Sequence, residues 1–220
     1  KAAALAAAFD ATVAARAGLG RVTAPERALI EALAARYPQR APIDDQAPWN
    51  DAFADAMRAA YEAHPNDLEI VTIFVEAIMN RTPWRMWDLR TGGVAEGAGT
   101  VEARHVLERA LREHPAAWAH PGLLHLYVHL MEMSPFPEVA LRAADRLRSL
   151  VPDAGHLIHM PTHLDVLCGY YHAVLTDNLR AIAADRKYLE RAGPLNFYSL
   201  YRLHDYHFAI YGAMFLGQYE

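Results

Sequence analysis

An all-α chain is expected here, a right-handed α-solenoid of stacked helix–turn–helix units, for three reasons. Ala, Leu, Arg and Glu dominate the 220 residues, and apolar residues recur at steps of three and four, the period of one helix face. Long alternating β-branched stretches are absent. The only short run of that kind, residues 71–75, lies inside a helical pattern. Finally, two histidine pairs, His125/His129 and His159/His163, are each four residues apart and are offset from one another by 34 residues. A period of that length belongs to stacked helical hairpins.

The elements follow from where the pattern breaks. Gly, Pro and polar turn residues fall at 18–20, 37–48, 64–65, 91–99, 114–121, 134–137, 151–155 and 193–194, and such clusters punctuate helices. The segments between them predict helices of roughly 12–18 residues, an ordinary length. The first, residues 1–17, is rich in Ala but contains Asp10 and Arg16 and lacks the layout of a signal peptide. Pro161 falls inside a helical segment and should kink that helix or delay its start. Residues 85–100 and 187–197 read as insertions of about a dozen residues in the repeat. The expectation is one helical-repeat domain over 1–220. Neither end carries a polar capping face, so a segment of a longer array is expected, incomplete at both ends.

Composition excludes several classes. Hydrophobic residues make up 53% and charged residues 21%, which suits a soluble domain with ample core. The net charge of −5 comes from mixed Arg and Glu without a basic stripe, so nucleic acid is not an expected partner. No apolar run reaches the ~18 residues of a membrane span. The single Cys168 rules out an internal disulfide and fits a reducing, cytoplasmic location. The glycine-rich stretch 91–99 follows no strand and has no Lys of a phosphate loop. There is no CxxCH for haem attachment and no Ser nucleophile motif.

Register refines the repeat. With Gly155 opening a unit, Gly169 falls at position 15 and Tyr171 follows it. Ala140 and Pro152 then take positions 20 and 32 of the preceding unit. Ala103, Ala110 and Pro115 take 20, 27 and 32 further back, and Gly217 takes position 15 of the last unit. This pattern resembles the tetratricopeptide repeat (TPR) over nearly the whole chain, although Arg186 stands where the family has Pro. The resemblance implies that the first helix of each unit lines a concave groove, with positions 2, 5, 9 and 12 pointing into it. Those positions are Gly122, His125, His129 and Glu132, then His156, His159, His163 and Val166. The last unit contributes His204, His207, Tyr211 and Met214, and an earlier unit Glu69, Thr72, Glu76 and Met79. Seven of the 12 histidines fall on this face.

That face predicts a metal site. Neutral imidazole is the commonest metal ligand, and two His one helical turn apart can converge on one ion. Packed helices lie about 8–10 Å apart, so pairs on neighbouring helices can share an ion. The expected ligands are His125, His129, His159 and His163. His156, His204, His207, Glu76 and Glu132 are further ligands or groups that orient ligands. A His-plus-carboxylate set suits zinc, iron, copper, manganese or nickel rather than calcium. Seven His and two Glu exceed one coordination sphere, so two ions, or one ion with imidazoles behind it, are both open. The rival reading is a metal-free scaffold that takes a peptide or a small polar ligand in the groove. Whether the site is catalytic is left open by the residues.

The remaining aromatic and histidine residues are assigned by position. Trp84 and Trp87 either wall the groove or cover core under a long loop. Tyr201 and Tyr211 edge the site, and Asp205 lies off the stripe. His64 and His114 sit at unit ends, His105, His120 and His172 have no assigned partner, and Cys168 is read as core. A narrower likeness rests on His125-Leu-Tyr-Val-His129, Ala143-Ala144-Asp145-Arg146-Leu147 and Gly155-His156-Leu-Ile-His159-Met-Pro161-Thr-His163. Glu76-Ala-Ile-Met-Asn80 before Pro83-Trp84, and Asp205-Tyr-His207-Phe208, extend it. This resembles a His-rich group of bacterial and fungal TPR proteins whose members are longer. It implies a helical-repeat fold and no particular activity.

Overall fold

The structure, a computed structural model, describes residues 2–218. Among them the regular structure is helical; extended backbone pairs only at an isolated bridge between Trp87 and Val94. No helix among the described residues is long and apolar enough to cross a membrane. The chain forms two compact units, one reaching to Asp88 and resuming over Val94–His114, the other comprising Leu89–Gly93 and the chain from Pro115 onward.

The first unit contains α1 (Ala2–Ala17), α2 (Ala24–Arg36), α3 (Ala47–Ala63), α4 (Leu68–Met79) and α5 (Thr100–Glu113). Local chemistry starts two of them. Thr23 and Glu26 form a reciprocal capping box at α2, and the Asp67 carboxylate accepts from the Glu69 and Ile70 N–H groups at α4. Such caps contribute about 1 kcal/mol each. Ile70, Phe74 and Ile78 recur every fourth residue on α4 and are fully buried with Met57 of α3 and Leu107 of α5. Arg58 of α3 forks onto the Glu102 carboxylate of α5 at 2.9 and 2.8 Å. His64 and His114 end α3 and α5. The insertion after α4 divides the two tryptophans: Trp87 is buried, whereas Trp84 is 68% exposed, on a residue with φ +62°. Core cover describes only Trp87.

The second unit contains α6 (Pro121–Met131), α7 (Leu141–Leu147), α8 (Gly155–His159), α9 (Thr162–Leu167), α10 (Tyr171–Ala192) and α11 (Ser199–Phe215). Several lengths depart from the expected range. α7, α8 and α9 have 7, 5 and 6 residues, while α10 has 22. Pro161 accounts for the split between α8 and α9: it has no N–H to carry the ladder, yet keeps helical φ and ψ of −53° and −31°. The side chains on either side of it therefore stay on one face. Gly169, at φ +81°, makes the left-handed turn into α10 that favours glycine. His120 caps α6, its Nδ1 accepting from the Leu123 N–H. Cys168, read from the sequence as core, is only half-buried at the end of α9.

α10 is the spine of this unit and packs against α8, α9 and α11. Its buried face carries Val174, Asn178, Ala181 and Ile182, and also Asp177 and Asp185. Arg148 forks onto Asp165 of α9 at 2.8 Å through two nitrogens and also bonds Asp177 of α10, tying the end of α7 to both helices. The tightest approach is at Gly155. A Cβ there would lie 2.0 Å from Asp185 Oδ1 and 2.9 Å from the Ala181 carbonyl oxygen. Gly155→Ala is therefore expected to destabilise the protein by roughly 1–3 kcal/mol, the usual cost of overpacking, read as a lowered Tm. An unchanged Tm would mean that α8 can withdraw from α10 without loss.

Candidate metal centre

Four helices deliver six imidazoles. α6 supplies His125 and His129 one turn apart, α8 supplies His156 and His159, α9 supplies His163 across the Pro161 break, and α11 supplies His204. They fall into two sets of three. His125, His129 and His156 offer ring nitrogens all within 4.8 Å of one another, and so do His159, His163 and His204. In the first set the His125 and His156 Nε2 atoms are 3.1 Å apart. In the second the His159 and His163 Nε2 atoms are 2.9 Å apart.

One carboxylate stands behind both sets. Glu132 caps α6. Its Oε1 lies 2.9 Å from His129 Nδ1 and its Oε2 lies 2.6 Å from His163 Nδ1. A carboxylate only accepts, so both Nδ1 atoms carry a proton, and in the neutral form of each ring Nε2 then carries the lone pair. His159 is set the same way by a different partner. Asn178 donates its amide N–H to the Val174 carbonyl at 2.7 Å, which leaves its Oδ1 to accept from His159 Nδ1 at 2.7 Å. The hydrogen-bond partners thus set the neutral tautomers of two rings in the second set, in which the Nε2 lone pairs of His159 and His163 face each other. Two lone pairs at that distance repel unless a cation lies between them.

Burial biases four of these rings, His125, His156, His159 and His204, toward the neutral form. His159 is fully buried. Burial, reinforced by the neighbouring His163, lowers its pKa to about 2. Burial and the adjacent His129 lower His125 to about 3 and His156 to about 4, and burial also lowers His204. Burial pushes Glu132 the other way, but the hydrogen bonds from His129 and His163 outweigh it and hold the carboxyl at about 2. At neutral pH His125, His156 and His159 are therefore neutral nitrogen donors, beside one negatively charged carboxylate.

The walls are aromatic. Phe208 of α11 lies 4.8 Å, ring to ring, from each of His159, His163 and His204. Tyr201 stands edge-on to His156 at 4.9 Å. The Tyr198 hydroxyl accepts from the His156 backbone N–H at 3.2 Å and donates to Asp185 at 2.7 Å.

Six of the nine expected site histidines and glutamates supply these donors. Glu132 joins them as the acceptor that orients two rings, both of its oxygens being committed to Nδ1 protons. His207 is a correction. It is exposed, its ring is 6.2 Å from that of His204, and it belongs to neither set. Asp205, Ala209 and Gly212 are the residues α11 buries, and that rotation brings His204 and Phe208 onto the triad instead. Glu76 is exposed on α4 in the first compact unit and likewise belongs to neither set. Asp205 is the opposite correction: set aside as off the stripe, it is buried at 1% exposure with its Oδ1 3.4 Å from His159 Nδ1. Burial and the neighbouring Asp185 raise its pKa. Nothing in the spacing marks Asn178, Asp185 and Phe208, because the first two sit on the second helix of a hairpin, outside the histidine stripe. Compared with protein-family models, with curated proteins and with solved structures, the chain shows no match.

Proposed function

We propose that this is a metal-binding protein of tetratricopeptide-like solenoid architecture, whose histidine centre holds a transition-metal ion in the groove. The observation that carries this reading is the pair of Nε2 lone pairs of His159 and His163, 2.9 Å apart and aimed at each other by Asn178 and Glu132. A shared proton would satisfy that one pair. A metal ion satisfies it together with the third donor His204, and also accounts for a second triad held by the same carboxylate. Carboxylate-backed imidazole is the usual arrangement behind a bound metal, because it fixes the tautomer and strengthens the donor. Zinc, iron, copper and manganese are the candidate ions, and a donor set of imidazoles alone favours zinc and copper among them. Three protein ligands leave a coordination position open for water, which a bound metal ion makes more acidic.

Elemental analysis of protein purified without chelator tests this. Metal is expected in stoichiometric amount and is lost in His129→Ala and His163→Ala. Metal-free protein whose Tm does not move on adding zinc, iron, copper or manganese overturns the reading. Partner binding that persists in EDTA would then favour a metal-free scaffold for a peptide.

A further inference from the structure

We infer that the centre holds two ions and closes on a small anion bridging them; this rests on the metal-binding reading above. The six imidazoles are partitioned. The donors of each set lie within 4.8 Å of one another, and an ion with bonds of about 2.0–2.1 Å to nitrogen would draw them in to roughly 3.4 Å in a tetrahedral site. Ring centroids do not separate the sets, standing 6.1 Å apart for His129 and His163 across them and also 6.1 Å apart for His129 and His156 within the first; the partition is one of donor atoms. One ion would have to draw six rings from four helices into a single sphere. Two ions need only small closures within each set.

Glu132 shows the same division. One oxygen holds an imidazole of the first set and the other holds an imidazole of the second, so the carboxylate backs both positions and bridges neither.

Charge and coordination then define what completes the centre. Each ion receives three neutral nitrogens and keeps at least one open position. Two divalent ions bring four positive charges against the single negative charge of Glu132, with the carboxyl of Asp205 behind His159. The excess, in a site walled by Phe208 and Tyr201, selects a small anion with lone pairs for both ions: hydroxide at rest, displaced by an exogenous anion such as phosphate or azide. Paired ions that share an oxygen ligand are a recurrent solution for clamping such groups.

Cobalt(II) reports on both parts, since its visible spectrum responds to ligand changes. Native metal-free protein is expected to bind two equivalents of Co(II). His125→Gln and His204→Gln, which do not touch Glu132 hydrogen bonds, are expected to bind one each. Azide or phosphate should shift the spectrum of the two-ion protein at concentrations at least tenfold below those needed in either one-ion variant. Binding of one equivalent by the native protein overturns the two-ion inference while leaving metal binding intact. Two equivalents with equal anion affinity in native and variant proteins overturn the bridge. No Co(II), zinc or copper bound overturns the metal-binding reading itself.

Discussion

Glu132→Gln is expected to weaken metal binding at both triads, by roughly 10–100-fold, the usual cost of losing the group behind a ligating imidazole. The reason is tautomeric. In the native protein two oxygens accept two Nδ1 protons, from His129 and His163. Glutamine retains one oxygen and presents an NH2 group to the other ring. That ring must then accept at Nδ1, its proton moves to Nε2, and its donor is lost. The remaining ring keeps its tautomer but loses the negative charge behind it. Competition with a chromophoric chelator measures the effect, with far-ultraviolet circular dichroism to confirm the helices. Glu132→Asp retains the charge but is one methylene too short to span both rings, so it is expected to preserve one site better than the other. Unchanged affinity in Glu132→Gln would remove the carboxylate from the metal-binding account.

Acid is expected to destabilise the metal-free protein steeply as pH falls below about 6.5, the ordinary histidine value. His125, His156 and His159 have folded pKa values near 3, 4 and 2, below those of the unfolded chain. Between the two values the unfolded chain binds more protons than the folded one, so stability rises with pH through this window and is fully present above it. Each imidazole kept neutral contributes a slope of up to about 1.4 kcal/mol per pH unit. Glu132 acts in the same direction lower down, since its contribution is lost as pH falls from about 4.5 toward 2. Thermal melts of metal-free protein between pH 7.5 and 4.5 measure the effect. A Tm that is flat or rises on acidification would mean that the rings are not held neutral in the fold. His125→Gln should flatten the curve by removing one of the contributing groups.

Much of the architecture was legible in the sequence. The breaks at 18–20, 64–65, 114–121 and 193–194 fall between observed helices, because Gly and Pro act on the backbone where they stand. The i,i+4 pairing of His125 with His129, and of His159 with His163, was legible for the same reason, since one helical turn is a local property. The rotation of α11 was not. Steps of three and four residues both return to the same side of a helix, so spacing from His204 points equally to His207 and Phe208. The choice between them came from Asp205, Ala209 and Gly212 packing inward, with Gly212 so close that a Cβ would lie 3.0 Å from the Leu175 nitrogen of α10. Glu76 shares a stripe position with His129 in the repeat register. Register assigns a residue to a helix face and leaves unspecified which side chains meet across helices.

Helical structure and turn-spaced histidine pairs follow from short-range periodicity and so can be read without the fold. That six of the histidines form two triads, that one glutamate backs both, and which tautomer each neutral ring takes depend on the packing of helices far apart in the chain. A tautomer is set by the hydrogen-bond partner on the far side of the ring. For His163 that partner is Glu132 at the end of α6, and for His159 it is Asn178 on α10, so the donor character of the centre exists only once those helices have packed.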